Sequence, residues 1–98
     1  MSSVTNAAQI RVLKAQAQRM KATLKIGKEG ISPQFLAALD DALKHNELIK
    51  VKFDEFKEQK KELTPQLAER SRSHLVTRVG NVVVLYRPKP VQEEQTES

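Results

Sequence analysis

The residues Gly27-Lys28-Glu29-Gly30 stand between a short apolar run, Leu24 to Ile26, and a helix-start signal at Ser32-Pro33. Two glycines three apart let a backbone turn tightly and aim main-chain N–H groups, together with the following helix N-terminus, at one anion; that is the chemistry of phosphate binding. By itself the tetrapeptide equally describes an ordinary turn between strand and helix. Its surroundings add cations. Arg11, Lys14, Gln18, Lys21 and Lys25 follow the apolar positions Ile10, Leu13, Ala17, Met20 and Leu24 one residue later, which makes a basic ridge beside an apolar seam. Lys50 and Lys52 alternate with Ile49, Val51 and Phe53, giving a strand with one charged face or edge. These lysines could form a continuous track for a phosphate backbone. The competing readings are a solvated helix face for the ridge and protection of a sheet edge for Lys50 and Lys52.

Little in the chain suggests catalysis. No carboxylate pair, Ser/His/Asp set or metal-ligand cluster stands at useful spacing, and His45 and His74 lie too far apart in sequence to suggest a ligand pair. There is no cysteine, hence no disulfide and no thiolate site. No cofactor and no small-molecule substrate is implied. Lys and Arg number 17 against 12 Asp and Glu, and three of the acids (Glu93, Glu94, Glu97) follow Pro90, so the body holds 17 bases against nine acids, a charge of +8. Such a surplus favours polyanions, nucleic acid ahead of an anionic membrane. No run approaches the ~20 apolar residues of a membrane span and the start shows no basic-then-apolar leader, so the expectation is a soluble, cytoplasmic protein. Phe35, Phe53 and Phe56 read as core. That leaves Tyr86, followed by Arg87, as the one aromatic considered for stacking, and in a chain so poor in aromatics any nucleic acid is expected to be held through phosphates, sugars and shape.

The elements that must position these residues follow from periodicity and turn chemistry. Ser3, Thr5 or Asn6 can cap a first helix running to about Arg19, and Leu24 to Ile26 then forms a strand before the glycines. Ser32 caps a second helix with Pro33 at its first position; Phe35, Leu36, Leu39 and Leu43 make its apolar face up to Lys44, and Asn46 is a candidate left-handed stop. A strand from Leu48 to Phe53 comes next. Pro65 is awkward inside a helix, so Thr64-Pro65 is read as cap and first residue of a third helix, Pro65 to Arg72, with a looser turn before it. Strands Leu75 to Val79 and Val82 to Arg87 flank the two-residue hairpin signal Gly80-Asn81, and the continuous apolar run Val82-Val83-Val84-Leu85 suits a strand buried on both faces. Residues 1–8 are expected to be flexible, 9–88 to form the domain and 89–98 to be a disordered acidic tail. At 98 residues one domain burying roughly 60 to 70% of its unfolded surface is expected. The order αβαβαββ gives an α/β (α+β) fold with three helices and a small mixed four-stranded sheet. Two strand-helix-strand steps imply parallel neighbours, and the hairpin adds an antiparallel pair.

That order, the glycine turn after the first strand, the run Glu47-Leu48-Ile49-Lys50-Val51-Lys52 and the closing Val84-Leu85-Tyr86-Arg87-Pro88 together resemble the CRM domain (chloroplast RNA splicing and ribosome maturation), in particular its stand-alone bacterial YhbY-type form. The likeness covers about Gln9 to Pro88. It implies a fold similar to the C-terminal domain of translation initiation factor three and a small RNA-binding protein associated with precursors of the large ribosomal subunit; a monomer without enzymatic activity is expected. By the same resemblance Gly27 and Gly30 match the family's loop glycines and Lys28 its basic middle residue. Lys14 and Lys21 fall on the basic side of the family's first helix, and Lys50 and Lys52 match its second-strand lysines. The candidate RNA-binding set is therefore Arg11, Lys14, Lys21, Lys25, Gly27, Lys28, Glu29, Gly30, Lys50, Lys52 and Arg87. Two positions depart from the family pattern: Glu29 sets a negative charge in the loop, and Pro65 interrupts the third helix. A basic adaptor for an acidic protein, or a general RNA-binding or chaperone protein, are the alternatives.

Overall fold

The computed structural model describes residues 7–88, so the acidic tail and all but the last two residues of the expected flexible start lie outside the described residues. Ala7 and Ala8 already belong to the first helix. The elements are α1 (Ala7–Gln18), β1 (Leu24–Ile26), α2 (Pro33–His45), β2 (Leu48–Phe53), a single 3-10 turn (Lys57–Gln59), α3 (Lys60–Arg70), β3 (His74–Val79) and β4 (Val82–Tyr86).

α2 begins as its sequence requires. Ser32 Oγ accepts the Phe35 N–H at 3.1 Å and Pro33 occupies the first helical position, where its missing N–H costs nothing. Asn46 does return its N–H to the Ala42 carbonyl, but with φ −138° it is extended, not left-handed. The third helix departs further from expectation. It starts at Lys60 and passes straight through Pro65. One N–H is absent there, and Lys61, whose carbonyl would have received it, lies on the exposed side. Burial of Thr64 and Leu67, with Leu63 and Ala68 packed beside them, holds the continuous helix against that local preference.

The sheet order is β1-β2-β4-β3. β1 pairs parallel with β2, as the first strand-helix-strand step implies. The second step does not give neighbours: β4 inserts between β2 and β3, antiparallel to both. The continuously apolar β4 is the strand able to accept a central place, with Val83 and Leu85 buried on one face and Val84 and Tyr86 on the other. Gly80 makes the hairpin turn at φ +59°. A bulge between Leu75 and Thr77 turns Val76 toward the α1 side.

Two apolar layers result. Ile26, Ile49, Val51, Phe53, Val83 and Leu85 meet Leu39 and Leu43 of α2 and Leu67 of α3 in the main core. On the other face Leu13 and Ala17 of α1 pack on Leu48, Val76, Val84 and Tyr86. Tyr86 is therefore a core residue, 8% exposed, with its hydroxyl accepting from Gln9 Nε2 at 3.5 Å; it presents no ring for stacking.

Candidate nucleic-acid interface

α1 is only 12 residues long and covers part of its face of the sheet. Beyond it, the strand alternation that sends Ile49, Val51 and Phe53 into the core sends Lys50 and Lys52 to the α1 side, and the β1 register sets Lys25 directly opposite Lys52. β2 is an interior strand, so Lys50 and Lys52 guard no edge. Lys14 and Gln18 on one flank of α1 line a cavity of about 440 Å³ with Lys50, Thr77 and Val82 of the sheet. Arg11 is one helical turn before Lys14 on that flank and is exposed.

Lys50 has a second task. Its ammonium donates to the Met20 carbonyl at 2.9 Å and its own carbonyl accepts the Thr23 N–H at 2.8 Å, so it pins the connection between α1 and β1 that carries the exposed Lys21. From Ala7 to Lys28 the chain holds six bases and no acid. Among the described residues none of Arg11, Lys14, Lys21, Lys25, Lys28 and Lys52 has a carboxylate partner within ion-pair distance. The positive field over this face is uncompensated locally.

At one end of the face lies the glycine loop. Gly30 N–H donates to the Gly27 carbonyl at 3.0 Å, closing the turn, and Gly30 has φ +68°. A Cβ there would sit 3.3 Å from Phe56 Cε2. Gly27 has neither constraint: its φ is not left-handed and a Cβ would meet nothing within 4 Å, so only Gly30 is required by the fold. The N–H groups of Lys28 and Glu29 have no partner among the described residues. The helix N-terminus supplies less than the sequence suggests. Pro33 has no N–H, that of Phe35 is taken by the Ser32 side chain and that of Leu36 by the Ser32 carbonyl. What can meet an anion is the Lys28-Glu29 backbone and the hollow of about 560 Å³ that Lys25 and Gly27 to Gly30 line with Ser32 and Gln34.

Phe56 is the aromatic that sequence reasoning misplaced. It is 40% exposed, adopts φ +59° and lays its ring on Gly30, and it lines a separate hollow with Asp54, Glu55 and Glu58 and the single cation Lys57. Its place after the last alternating residue of β2, within a charged stretch, is a signal that it is not core. The loop thus has a basic flank toward Lys25 and an acidic one toward Phe56, and Glu29 belongs to the contrast.

Arg87 is not brought together with the other candidates. Its side chain is 20% exposed and lies in the α2/α3 layer, where Nη2 donates to Asp40 Oδ1 at 2.8 Å and to the Ser71 carbonyl. That guanidinium, and then Lys44, hold the Asp40 carboxyl below its ordinary pKa of 3.8. His45 is exposed with Nδ1 2.9 Å from the Asp41 carbonyl, and His74 is exposed on β3. No group of three or more His, Cys, Asp or Glu among the described residues could hold a metal, and no described helix is long and apolar enough to cross a membrane. The surface is equipped to hold phosphodiesters through cations and backbone N–H groups.

Comparison with known proteins agrees with the fold. The chain is 34% identical over 80 residues to "Probable RNA-binding protein YqeI" of Bacillus subtilis, covering 81% of this chain and 83% of that one. It is 32% identical over 81 residues to a Haemophilus influenzae protein named "RNA-binding protein", with 82% of each chain covered. The solution structure of the Staphylococcus aureus hypothetical protein SAV1595 superposes with a TM-score of 0.75 at 35% identity, over 93% of this chain and 96% of that one. The family model for the CRS1/YhbY (CRM) domain matches residues 6–87, and the chain belongs to that family.

Proposed function

We propose that this protein is a non-catalytic RNA-binding protein that holds the phosphate backbone of structured RNA on the open half of its α1-side sheet face. Arg11, Lys14, Lys21, Lys25 and Lys52 supply the charge, Lys50 anchors the connection between them and contributes its remaining donors, and the loop from Gly27 to Gly30 receives a phosphate on its Lys25 flank. The observation that carries this reading is the Lys25–Lys52 register pair. Like charges set directly opposite on neighbouring strands are destabilising, and an anionic ligand removes that cost. The names of the relatives support RNA as the anion. Scarcity of exposed aromatics favours folded RNA, recognised by shape and backbone, over unpaired bases. The finer proposal, resting on the family resemblance, is precursor large-subunit rRNA in a pre-ribosomal particle, bound by a monomer in the cytoplasm. Neutralising phosphates there would lower the repulsion between rRNA segments and hold a transient fold until ribosomal proteins replace it.

Binding measured against salt concentration tests the surface. Affinity should fall steeply with salt, and Lys14→Ala with Lys21→Ala should reduce the slope by about one unit per lost phosphate contact. An unchanged slope removes those lysines from the interface. The partner is tested by recovering the tagged protein from native lysate, with and without ribonuclease, and sequencing the RNA. Concentrated large-subunit precursor is the expected result; scattered RNA reduces the role to general RNA binding, and nuclease-resistant protein partners without RNA would replace it with an adaptor.

A further inference from the structure

On the opposite side of the molecule the C-terminal ends of α2 and α3 converge with the exit of β4. Asp40, Lys44, Arg70, Ser71, Arg72 and Arg87 line one concavity of about 590 Å³. Four cations share a single carboxylate, whose Oδ1 meets Arg87 at 2.8 Å and whose Oδ2 meets Lys44 at 3.3 Å. Arg70 and Arg72 have no carboxylate partner among the described residues. The hollow therefore keeps an excess of three positive charges, and the Arg87 Nε within it is buried without a partner.

Helix-end cations have an ordinary use, complementing the negative end of the dipole, and Lys44 and Arg70 in the last turns of α2 and α3 serve it. Arg72 exceeds that use. The end of α3 is a Schellman motif, with Ser73 N–H returning to the Ala68 carbonyl at 2.9 Å and Arg72 N–H to the Glu69 carbonyl at 3.1 Å. Its left-handed residue, normally glycine, is Arg72 at φ +57°. An arginine is thus held at the rim of the hollow where the backbone would prefer no side chain at all.

We infer that this concavity is a second phosphate-binding site for RNA, so that the protein bridges two RNA segments, one on each side of the sheet. The inference rests on the proposed RNA-binding reading of the α1 face. All six lining residues are polar or charged, which leaves an acidic protein segment no apolar anchor, whereas guanidinium forks match phosphate oxygens in pairs. α1 packs on one face of the sheet and the α2/α3 layer on the other, so a single short duplex cannot lie on both sites at once. A two-sided site explains how a small protein could draw together RNA segments that repel each other.

The test mixes the full chain with two short RNA duplexes, one carrying a donor and one an acceptor fluorophore, and follows energy transfer, while anisotropy of one labelled duplex reports binding and sedimentation reports the mass of the complex. The expected result is transfer with one protein per pair of duplexes. Arg72→Gly, placing the residue normal for that backbone, should fold at least as well as the wild type and weaken transfer; Arg70→Gln with Arg72→Gly should abolish it and leave the anisotropy titration at the α1 face in place. Binding of a single duplex without transfer would overturn the bridge and spare the α1-face reading. Transfer that survives in the double variant, or that comes with two protein copies per complex, would also overturn it. Absence of any duplex binding would sink the α1-face reading itself.

Discussion

On the α2/α3 side of the sheet, Ile26, Ile49, Val51, Phe53, Val83 and Leu85 are each at most 1% exposed. One residue along the same strands, on the α1 side, Leu48, Val84 and Tyr86 are buried beneath α1, whereas Lys25, Lys50, Lys52 and Val82 are not buried. Two helices close the first face, and one short helix closes only part of the second. The strand period of two is what allows this division: a β2 reading Leu-Ile-Lys-Val-Lys-Phe supplies three core residues to one side, and one core residue and two lysines to the other. Stability is thereby concentrated on one face and ligand chemistry on the other, so substitutions should separate the two properties.

The largest separation is expected from Phe53→Ala. Removing a fully buried ring from the closed core should cost about 3–5 kcal/mol in urea denaturation, and the protein that remains folded should keep the salt slope of RNA binding. Leu13→Ala should cost less, about 2 kcal/mol, because α1 is packed from one side and can settle into the gap. It should also weaken RNA binding, since Lys14 rides on the same helix. Equal losses for the two variants, with equal effects on RNA, would erase the distinction between the faces.

The glycine loop gives a sharper contrast within one turn. Gly30→Ala forces a side chain into left-handed backbone and against the Phe56 ring, for a loss of about 1–2 kcal/mol. Gly27→Ala meets no atom and no strain and should stay within about 0.5 kcal/mol of wild type. If a phosphate approaches the loop, Gly27→Ala nonetheless lowers RNA affinity. A stable Gly27→Ala variant with unchanged affinity would take the loop out of the interface. At the far end of the molecule, the depressed Asp40 carboxyl contributes stability that is present above its ordinary pKa of 3.8 and lost as pH falls through the lower folded value. Asp40→Asn should flatten that acid-side part of the pH–stability profile, as followed by thermal melts, and an unchanged profile would show that the Arg87 and Lys44 contacts do not persist in solution.

Element types were legible because they depend on local patterns. The Ser32-Pro33 start, the Gly80-Asn81 turn and the alternation of β2 all stand where periodicity and turn chemistry place them. What was hidden depends on partners distant in sequence. Pro65 reads as a helix start until Thr64 and Leu67 are seen buried, and a strand-helix-strand step reads as two neighbours until β4 takes the place between them. The site shows the same division. The α1 ridge follows from spacing, but Lys50 as the anchor of Met20, Tyr86 as core and Arg87 on the opposite layer follow only from which elements meet. A list of basic residues therefore held two groups that the fold sends to different sides.

The smallest effect on stability is the most telling about function. Lys25 and Lys52 face each other across the β1–β2 register, both exposed, with no carboxylate partner among the described residues. Without a ligand, Lys52→Ala removes a cross-strand repulsion and should leave stability unchanged or raise it by a few tenths of a kcal/mol. With RNA the sign reverses: the variant loses one phosphate contact, and the slope of log affinity against log salt should become shallower by about one unit. A residue whose removal helps the free protein and harms the complex is held in place by its ligand. If Lys52→Ala instead destabilises the free protein, the lysine stem is packing against the sheet as a structural cover. The division of labour between the two faces would then have to be drawn closer to α1, at Lys14 and Lys21.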